Sequence, residues 1–327
     1  MDNYLFPGLV FLAVLFITLM IESRIIPLLT RNAKQPIYAE GPSWHLSKSG
    51  TPTMGGIAFV IAITVSLLIV ALFIRIWDEN TKVFFELVII ALFSLLNALV
   101  GLFDDMMKLL RNQNGGLTPI QKLGLQAIIA VIYLMSRRHF LGASTAISLP
   151  FGALDLGVLY YPLIIFLILG IVNCANLTDG IDGLASFTAL TIGIVFLISD
   201  KASVASVITS VALIGGVLGF LFFNTHPARI FMGDTGSLFL GAIAISLALS
   251  SGRPLSIIPI GIVYVIEGMS VILQVAIFKT TKKRIFKMAP LHHHLEKCGV
   301  SEGRICILAI ITTAVFSCLY LLFREII

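Results

Sequence analysis

The chain has 327 residues, of which 58% are hydrophobic and only 12% are charged, and its mean hydropathy is +1.02. A soluble globular domain carries about 25% charged residues, so this composition excludes a water-soluble enzyme and a disordered chain. The formal net charge is +5, and the four cysteines lack the spacing of a zinc site. Because the apolar residues lie in long blocks, we predict an all-α, polytopic membrane protein.

A helix needs about 20 mostly apolar residues to cross the hydrocarbon core of a membrane. The sequence contains ten candidate spans, of which the sixth and the eighth are short, and we predict one integral-membrane domain over residues 1–327. The ten spans are Leu5–Leu28, Pro52–Ile74, Val83–Leu102, Pro119–Met135, Tyr160–Cys174, Leu184–Ile198, Val204–Phe223, Ser237–Leu249, Ile257–Phe278 and Ile305–Phe323.

The lysines and arginines predict the orientation of these spans. Ten spans place both termini on one side of the membrane, and of the 22 basic residues seven lie on that side and fifteen on the other. Since basic residues are enriched on the cytoplasmic side, we expect both termini outside and the fifteen-charge loops in the cytoplasm. In the outer loop Ser136–Leu159, the segments Thr145–Leu149 and Leu154–Val158 flank a Pro-Phe-Gly turn and predict a small hairpin.

The polar residues gather in the predicted cytoplasmic loops. Five aspartates lie there at helix ends, namely Asp104, Asp105, Asp179, Asp182 and Asp234. Clustered carboxylates repel one another unless a cation lies between them, and their hard oxygens suit Mg²⁺. The lysines and arginines nearby suit an anion, most simply a phosphate. Carboxylates, Mg²⁺, lysine and phosphate are the components of phosphoryl transfer.

Each of these features also has a structural interpretation. Asp104 and Asp105 fit a helix cap, and Asp179 and Asp182 fit a polar turn, because Gly180 and Gly183 favour a loop. The three consecutive histidines, His292–His294, cannot all bind one metal from a regular helix. Glu267, inside the ninth span, fits helix packing as well as ligand binding. Purely structural roles for all of them together are less favoured, because every cluster falls on the predicted cytoplasmic face of the membrane domain.

Four motifs carry a resemblance to a known family. They read Gly-Thr-Pro-Thr-Met-Gly-Gly at 50–56, Asn-Leu-Thr-Asp-Gly-Ile-Asp-Gly at 176–183, Arg-Ile-Phe-Met-Gly-Asp-Thr-Gly-Ser at 229–237 and Ala-Pro-Leu-His-His-His-Leu-Glu at 289–296. The chain resembles the phospho-MurNAc-pentapeptide translocases of the polyprenyl-phosphate N-acetylhexosamine-1-phosphate transferase superfamily. The first and last motifs are similar to those of the MurNAc-pentapeptide branch in particular.

The resemblance implies a reaction at the cytoplasmic face of the bacterial inner membrane. There, UDP-MurNAc-pentapeptide gives its phospho-MurNAc-pentapeptide to undecaprenyl phosphate, and the products are lipid I and UMP. This is the first membrane step of peptidoglycan synthesis. The family implies Mg²⁺ as cofactor, membrane lipid as surroundings, ten spans and a homodimer, with no nucleic-acid partner.

The resemblance also implies residue roles. Asp234 is similar to the family's Mg²⁺ ligand, and the catalytic set contains Asp104, Asp105, Asp234 and His292. One of the paired aspartates is expected near the lipid phosphate. Phe231 resembles an aromatic that stacks on uracil. The expected substrate-binding set is Lys48, Lys122, Asn173, Asn176, Asp179, Asp182, Asn224, Phe231, Gln274, His293 and His294.

Other functions remain open from the sequence. A transporter is disfavoured because no internal repeat is present and the polar groups lie at one face rather than at mid-membrane. A prenyl-chain enzyme would match Asp104-Asp105-x-x-Asp, but Lys108 replaces the last aspartate. A GlcNAc-1-phosphate transferase that uses the same lipid is the nearest alternative. For the mechanism, direct attack by the lipid phosphate is preferred to a covalent aspartyl-phosphate.

Overall fold

The computed structural model describes residues 5–32, 48, 50–111, 115–149, 152–199 and 203–326. These residues form twelve α-helices and one two-stranded hairpin. In chain order they are α1 Leu5–Asn32, α2 Gly56–Trp77, α3 Thr81–Arg111, α4 Pro119–Leu141, β1 Ala146–Leu149, β2 Gly152–Asp155, α5 Tyr160–Thr178, α6 Leu184–Ser199, α7 Val204–Asn224, α8 Gly233–Ser250, α9 Ile257–Ile260, α10 Ile262–Thr281, α11 Leu291–Lys297 and α12 Glu302–Ile326.

Long apolar helices dominate the fold. Within the described residues, nine helices are long and apolar enough to cross a membrane. The sixth predicted span is the apolar helix α6, which at 16 residues is shorter than the usual length of a spanning helix. The integral membrane character is therefore confirmed, and the tenth span stays a prediction.

The ninth predicted span, Ile257–Phe278, is not one helix. It is divided at Gly261 into the single turn α9 and the longer helix α10. Pro259 lacks the N–H group that an uninterrupted helix uses, and glycine is a poor helix former, so this pair of residues disfavours a continuous helix. The hydropathy of the segment is continuous and does not indicate this break.

The predicted outer hairpin is present. Strands β1 and β2 pair antiparallel, with Ala146 opposite Asp155 and Leu149 opposite Gly152. The second strand begins at Gly152, earlier than the predicted Leu154, and the turn residues Pro150 and Phe151 lie outside the described residues. The hairpin is short, and strand β2 is exposed, whereas Ile147 of β1 is buried in the hydrophobic core.

Helix α8 is the central helix of the bundle. Every residue from Thr235 to Leu249 is buried, and the helix packs against α2, α3, α5, α6 and α7. Glycines of the neighbouring helices lie directly against its first turn. A Cβ at Gly56 of α2 would overlap the backbone of Gly236, and one at Gly101 of α3 would overlap the carbonyl of Asp234. Small residues therefore let three helices approach closely where α8 begins.

Candidate active site at the α3–α8 junction

The candidate site lies where α3 ends and α8 begins. Asp104 and Asp105 occupy the last turns of α3, and Asp234 is the second residue of α8. Gly101, three residues before Asp104, lies against the Asp234 backbone and brings the two helices together. A close approach of two backbones therefore places three carboxylates from distant parts of the sequence next to one another.

Asp105 caps helix α8. Its carboxylate accepts hydrogen bonds from the backbone N–H groups of Asp234, at 3.1 Å, and Thr235, at 3.0 Å, and from the Thr235 hydroxyl at 2.7 Å. The residue is 5% exposed. A helix begins with unpaired N–H donors and a partial positive charge, and a buried carboxylate satisfies both. Asp105 thus fixes the backbone that carries Asp234.

Asp234 is surrounded by cationic and amide groups. Its Oδ2 accepts from Lys122 Nζ at 2.7 Å and from Lys108 Nζ at 3.2 Å, and its Oδ1 accepts from Asn176 Nδ2 at 2.9 Å. Asn176 also donates to the Ser237 hydroxyl and accepts from Lys122. The α3, α4, α5 and α8 helices therefore meet at one carboxylate.

Asp104 belongs to the same cluster and has one partner, Lys108, in common with Asp234. Its Oδ1 accepts from the Leu117 N–H at 2.8 Å, and its Oδ2 lies 2.6 Å from Lys108 Nζ, four residues further along α3. Lys108 thus bridges Asp104 and Asp234. The paired aspartates point to different partners, which agrees with the roughly 100° between adjacent helical residues.

The donor set fits a divalent metal. One oxygen from each of Asp104, Asp105 and Asp234 lies within 4.8 Å of the others. Such a set of hard, negatively charged oxygens matches the ligand preference of Mg²⁺. Lys108 and Lys122 already contact Asp234, so the cluster both attracts cations and presents ammonium groups to an anion.

A second charged cluster surrounds Asp182. The Lys48 ammonium lies 2.7 Å from Asp182 Oδ1 and 2.7 Å from Glu302 Oε1. The other oxygen of Asp182 accepts from the Ala228 N–H at 3.0 Å and lies 2.9 Å from His226 Nδ1. Burial disfavours the charged lysine, but the hydrogen bonds and charges of Asp182 and Glu302 outweigh it, so the pKa of Lys48 lies above its usual value.

The loop between α5 and α6 lies next to both clusters. Asp179 ends α5, and burial together with the negative charges of Asp234 and Asp105 raises its pKa well above the ordinary value of a carboxyl. Asn224, at the end of α7, fixes the other end of this loop: its Oδ1 accepts from the Gly183 N–H at 3.2 Å. The loop therefore brings Asp179 close to the carboxylate cluster and Asp182 into the second cluster.

Phe231 lies beside this loop on a firmly held backbone. Its N–H donates to the Pro52 carbonyl at 2.9 Å, and its carbonyl accepts from the Gly55 N–H at 2.9 Å. The Asn224 amide also donates to the carbonyl of the preceding residue, Ile230. The aromatic side chain is half-buried.

Two predicted substrate-binding residues use their amides within the chain. Asn173 donates to Gln126 Oε1 at 2.7 Å and to the Leu169 carbonyl. The Gln274 amide group bonds to the backbone of Ile285 and Phe286 in the loop after α10. Their roles toward a substrate stay predictions.

The three histidines of α11 have three separate partners. His292 is fully buried, and its Nδ1 and backbone N–H both face Glu267 Oε2, at 3.1 and 3.3 Å. His293 Nδ1 contacts Glu296, and His294 Nδ1 accepts from the Lys287 N–H. Glu267 thus proves to be the partner of His292. The His292 ring also lies against Gly180, where a Cβ would overlap it.

The glycosyl transferase family 4 model matches residues 87–252, and signature 1 of phospho-N-acetylmuramoyl-pentapeptide-transferase matches residues 48–60. Enzymes with that transferase name are similar over 89% of the chain: one from Clostridium perfringens is 44% identical over 90% of its length, and one from Bacillus subtilis is 43% identical over 89% of its length. The chain belongs to the phospho-N-acetylmuramoyl-pentapeptide-transferase family.

The family's matched segments contain most of the site. Residues 87–252 include Asp104, Asp105, Lys122 and Asp234, and the signature begins at Lys48. The sequence alone did not identify Lys108 and Glu302 as members of the clusters. The spacing of four between Asp104 and Lys108 on a helix was a usable signal for the first. Glu302 had no such signal, because its partners lie more than 100 residues away.

The close approach at Gly101 leads to a testable prediction. Gly101→Ala places a methyl group into the Asp234 carbonyl and must push α3 and α8 apart, so we expect at least about a tenfold loss of transferase turnover and a lower unfolding temperature. Gly8→Ala in α1, where a Cβ meets open space, is the matched control and should change neither. Wild-type turnover in Gly101→Ala would show that this helix contact does not position the carboxylates.

Proposed function

We propose that this chain transfers phospho-MurNAc-pentapeptide from UDP-MurNAc-pentapeptide to undecaprenyl phosphate, which yields lipid I and UMP for peptidoglycan synthesis. The observation that carries this proposal is the cluster of three carboxylates and two lysines at the α3–α8 junction. Family membership supports the reaction class, and the apolar helices support a substrate that resides in the membrane.

Charge neutralisation is the main task of such a site, because a phosphate must approach an anionic diphosphate. Lys108 and Lys122 lie beside Asp234 and supply positive charge directly. Asp234, with Asp104 beside it, is the residue that would hold Mg²⁺, which when bound would neutralise the diphosphate and the departing UMP. Asn176 orients Asp234 and Lys122 toward one another.

The geometry favours direct attack by the lipid phosphate. A phosphate monoester has a second pKa near about 6, so the acceptor is mostly dianionic at neutral pH and gains little from a general base. Asp105 is a poor nucleophile, because both of its oxygens accept hydrogen bonds from the first turn of α8. Asp104 retains the role of orienting the acceptor or of removing a residual proton.

The proposal also covers the orientation of the chain in the membrane, the number of spans, the oligomeric state and the lipid-binding groove. The site faces the cytoplasm, both termini lie outside, ten helices span the inner membrane and two copies of the chain form a dimer. The polyprenyl tail lies in a groove open to the bilayer between α5 and α10. A reporter fused after Ile327 should be active outside the cell, and a reporter active in the cytoplasm would reverse the orientation.

Phe231 provides a test of the nucleotide side of the site. We propose that its half-buried ring stacks on uracil, which contributes about 1–3 kcal/mol per base in aromatic stacking sites. Phe231→Ala should therefore raise the KM for the nucleotide sugar about tenfold or more, with the KM for the lipid phosphate unchanged. Steady-state kinetics with each substrate varied in turn measure this. An unchanged nucleotide KM would remove Phe231 from the uracil site.

The function itself is tested by UMP release. Purified protein should release UMP and form lipid I when given UDP-MurNAc-pentapeptide, undecaprenyl phosphate and Mg²⁺, and should do neither with UDP-GlcNAc. Release of UMP with UDP-GlcNAc alone would identify the chain as a GlcNAc-1-phosphate transferase. Absence of UMP release with either nucleotide sugar would contradict the proposal.

A further inference from the structure

The first turns of α12 hold the α5–α6 loop at one residue. Glu302 Oε2 accepts from the backbone N–H of Asp182 at 2.9 Å. One turn later on the same helix, the Cys306 thiol donates to the backbone carbonyl of Asp182 at 3.4 Å. Both backbone groups of Asp182 therefore bond to α12, about 120 residues further along the chain.

Apolar packing supports the same contact. Ile305, Cys306 and Ala309 of α12 form a buried cluster with Ile181 and Leu184, which flank the loop's second aspartate. A residue held by a charged acceptor, by a thiol and by neighbouring apolar side chains has little freedom to move. The position of the loop is thus determined by α12 as well as by α5 and α6.

Glu302 also holds Lys48. The ammonium lies 2.7 Å from Glu302 Oε1 and 2.7 Å from Asp182 Oδ1, and the lysine side chain is 17% exposed. A flexible lysine that bonds to two carboxylates has one preferred position, which removes the entropy cost of ordering it when a ligand binds. Glu302 therefore connects one residue from each of the two matched family segments.

The cluster around Asp182 contains a cation of its own, the Lys48 ammonium. Asp182, His226 and Glu302 have ligand atoms close enough to share an ion. However, the Lys48 ammonium lies between the two carboxylates and already supplies the positive charge.

We propose that Glu302 is a positioning residue for the nucleotide sugar, which acts through Lys48 and the backbone of Asp182. This inference rests on the proposed function, since it assigns Lys48 and the α5–α6 loop to the nucleotide side of the site. Residue 302 lies outside both matched segments, 48–60 and 87–252. Because Glu302 contacts Lys48 and the backbone of Asp182, its substitution should weaken binding of the nucleotide sugar and leave the chemical step unchanged.

The test is Glu302→Gln in full-length, purified protein. Its amide oxygen can still accept from the Asp182 N–H, but the charge that holds Lys48 is lost. Losing a charged hydrogen bond should raise the KM for UDP-MurNAc-pentapeptide about tenfold, with kcat and the KM for undecaprenyl phosphate within about twofold of wild type. Arg304→Gln, an exposed charge change on the same turn of α12, is the matched control and should leave all three constants unchanged.

A double-mutant cycle tests whether Glu302 acts through Lys48. In the Lys48→Met background, Glu302→Gln should have no further effect on the nucleotide KM, because the lysine it positions is absent. Fully additive effects would overturn the proposal. So would an unchanged nucleotide KM in a Glu302→Gln protein that unfolds at the wild-type temperature, or an equal fall of kcat and rise of both KM values.

Two further measures keep the test decisive. If Glu302→Gln does not fold, Glu302→Asp takes its place, because the shorter side chain keeps the charge but cannot reach both partners, and the same kinetic outcome is expected. A wild-type chain that releases no UMP contradicts the proposed function. An active wild type with an unaffected Glu302 variant contradicts the present inference alone.

Discussion

Asp234→Ala should abolish UMP release while the protein remains folded. Asp234 accepts from Lys122, Lys108 and Asn176 and belongs to the three-carboxylate cluster, so its removal takes away the group best placed to hold Mg²⁺. Metal ions supply several kcal/mol of charge stabilisation in such transfers, so turnover should fall by at least about a thousandfold. Folding should change little, because Lys108 keeps its partner Asp104 and Lys122 keeps its partner Asn176.

Two variants make this result specific. Asp234→Asn keeps the size and the hydrogen-bonding oxygen but not the charge, and it should be as inactive as Asp234→Ala. Asp155→Asn, in the exposed outer hairpin, is the matched control and should keep wild-type turnover. Near-normal activity of Asp234→Ala at limiting Mg²⁺ would show that Asp234 is not the metal ligand.

Asp105→Ala should lower both stability and turnover. The buried carboxylate accepts three hydrogen bonds from the first turn of α8, and without it those donors are left unpaired. An unpaired buried donor costs about 1–3 kcal/mol, so the free energy of unfolding should fall by roughly 3 kcal/mol. Because the same turn carries Asp234, turnover should fall at least about a hundredfold as the helix end shifts.

The contrast between the two aspartates separates positioning from metal binding. Chemical denaturation of the Asp105 and Asp234 alanine variants should show a large loss of stability for Asp105 only. Asp105→Asn, which keeps one oxygen acceptor, should lie between wild type and Asp105→Ala. Wild-type stability of Asp105→Ala together with lost activity would indicate that Asp105 acts on the substrates or the metal directly, rather than as the cap of α8.

The acidic residues of the site could be predicted from sequence, but their geometry could not. Asp104, Asp105 and Asp234 stand out because aspartate is rare beside long apolar segments. Their convergence depends on backbone contact at Gly101, and nothing local in the sequence states which helix that glycine meets. For the same reason the division of labour, with Asp105 as a cap and Asp234 among the lysines, became visible only in three dimensions.

The helices, too, could be predicted only in part from the sequence. The long apolar segments predicted ten spans, and in the described part of the chain nine of them correspond to helices long and apolar enough to cross a membrane, because composition and length decide that property. The break of the ninth span at Gly261 was missed, since hydropathy ignores the effect of Pro259 on the helix backbone. Long-range partners such as Glu302 for Lys48 leave no periodic signal in the sequence.

Mn²⁺ binding tests most directly whether the three-carboxylate cluster binds a divalent cation. Mn²⁺ prefers the same oxygen ligands as Mg²⁺ and is detected by electron paramagnetic resonance. Titration of Mn²⁺ into wild type and the Asp155→Asn control, in the presence of UMP, should show bound metal that Mg²⁺ displaces, and Asp234→Asn should lose that binding. Equal Mn²⁺ binding by wild type and Asp234→Asn, or no binding by wild type, would contradict the account.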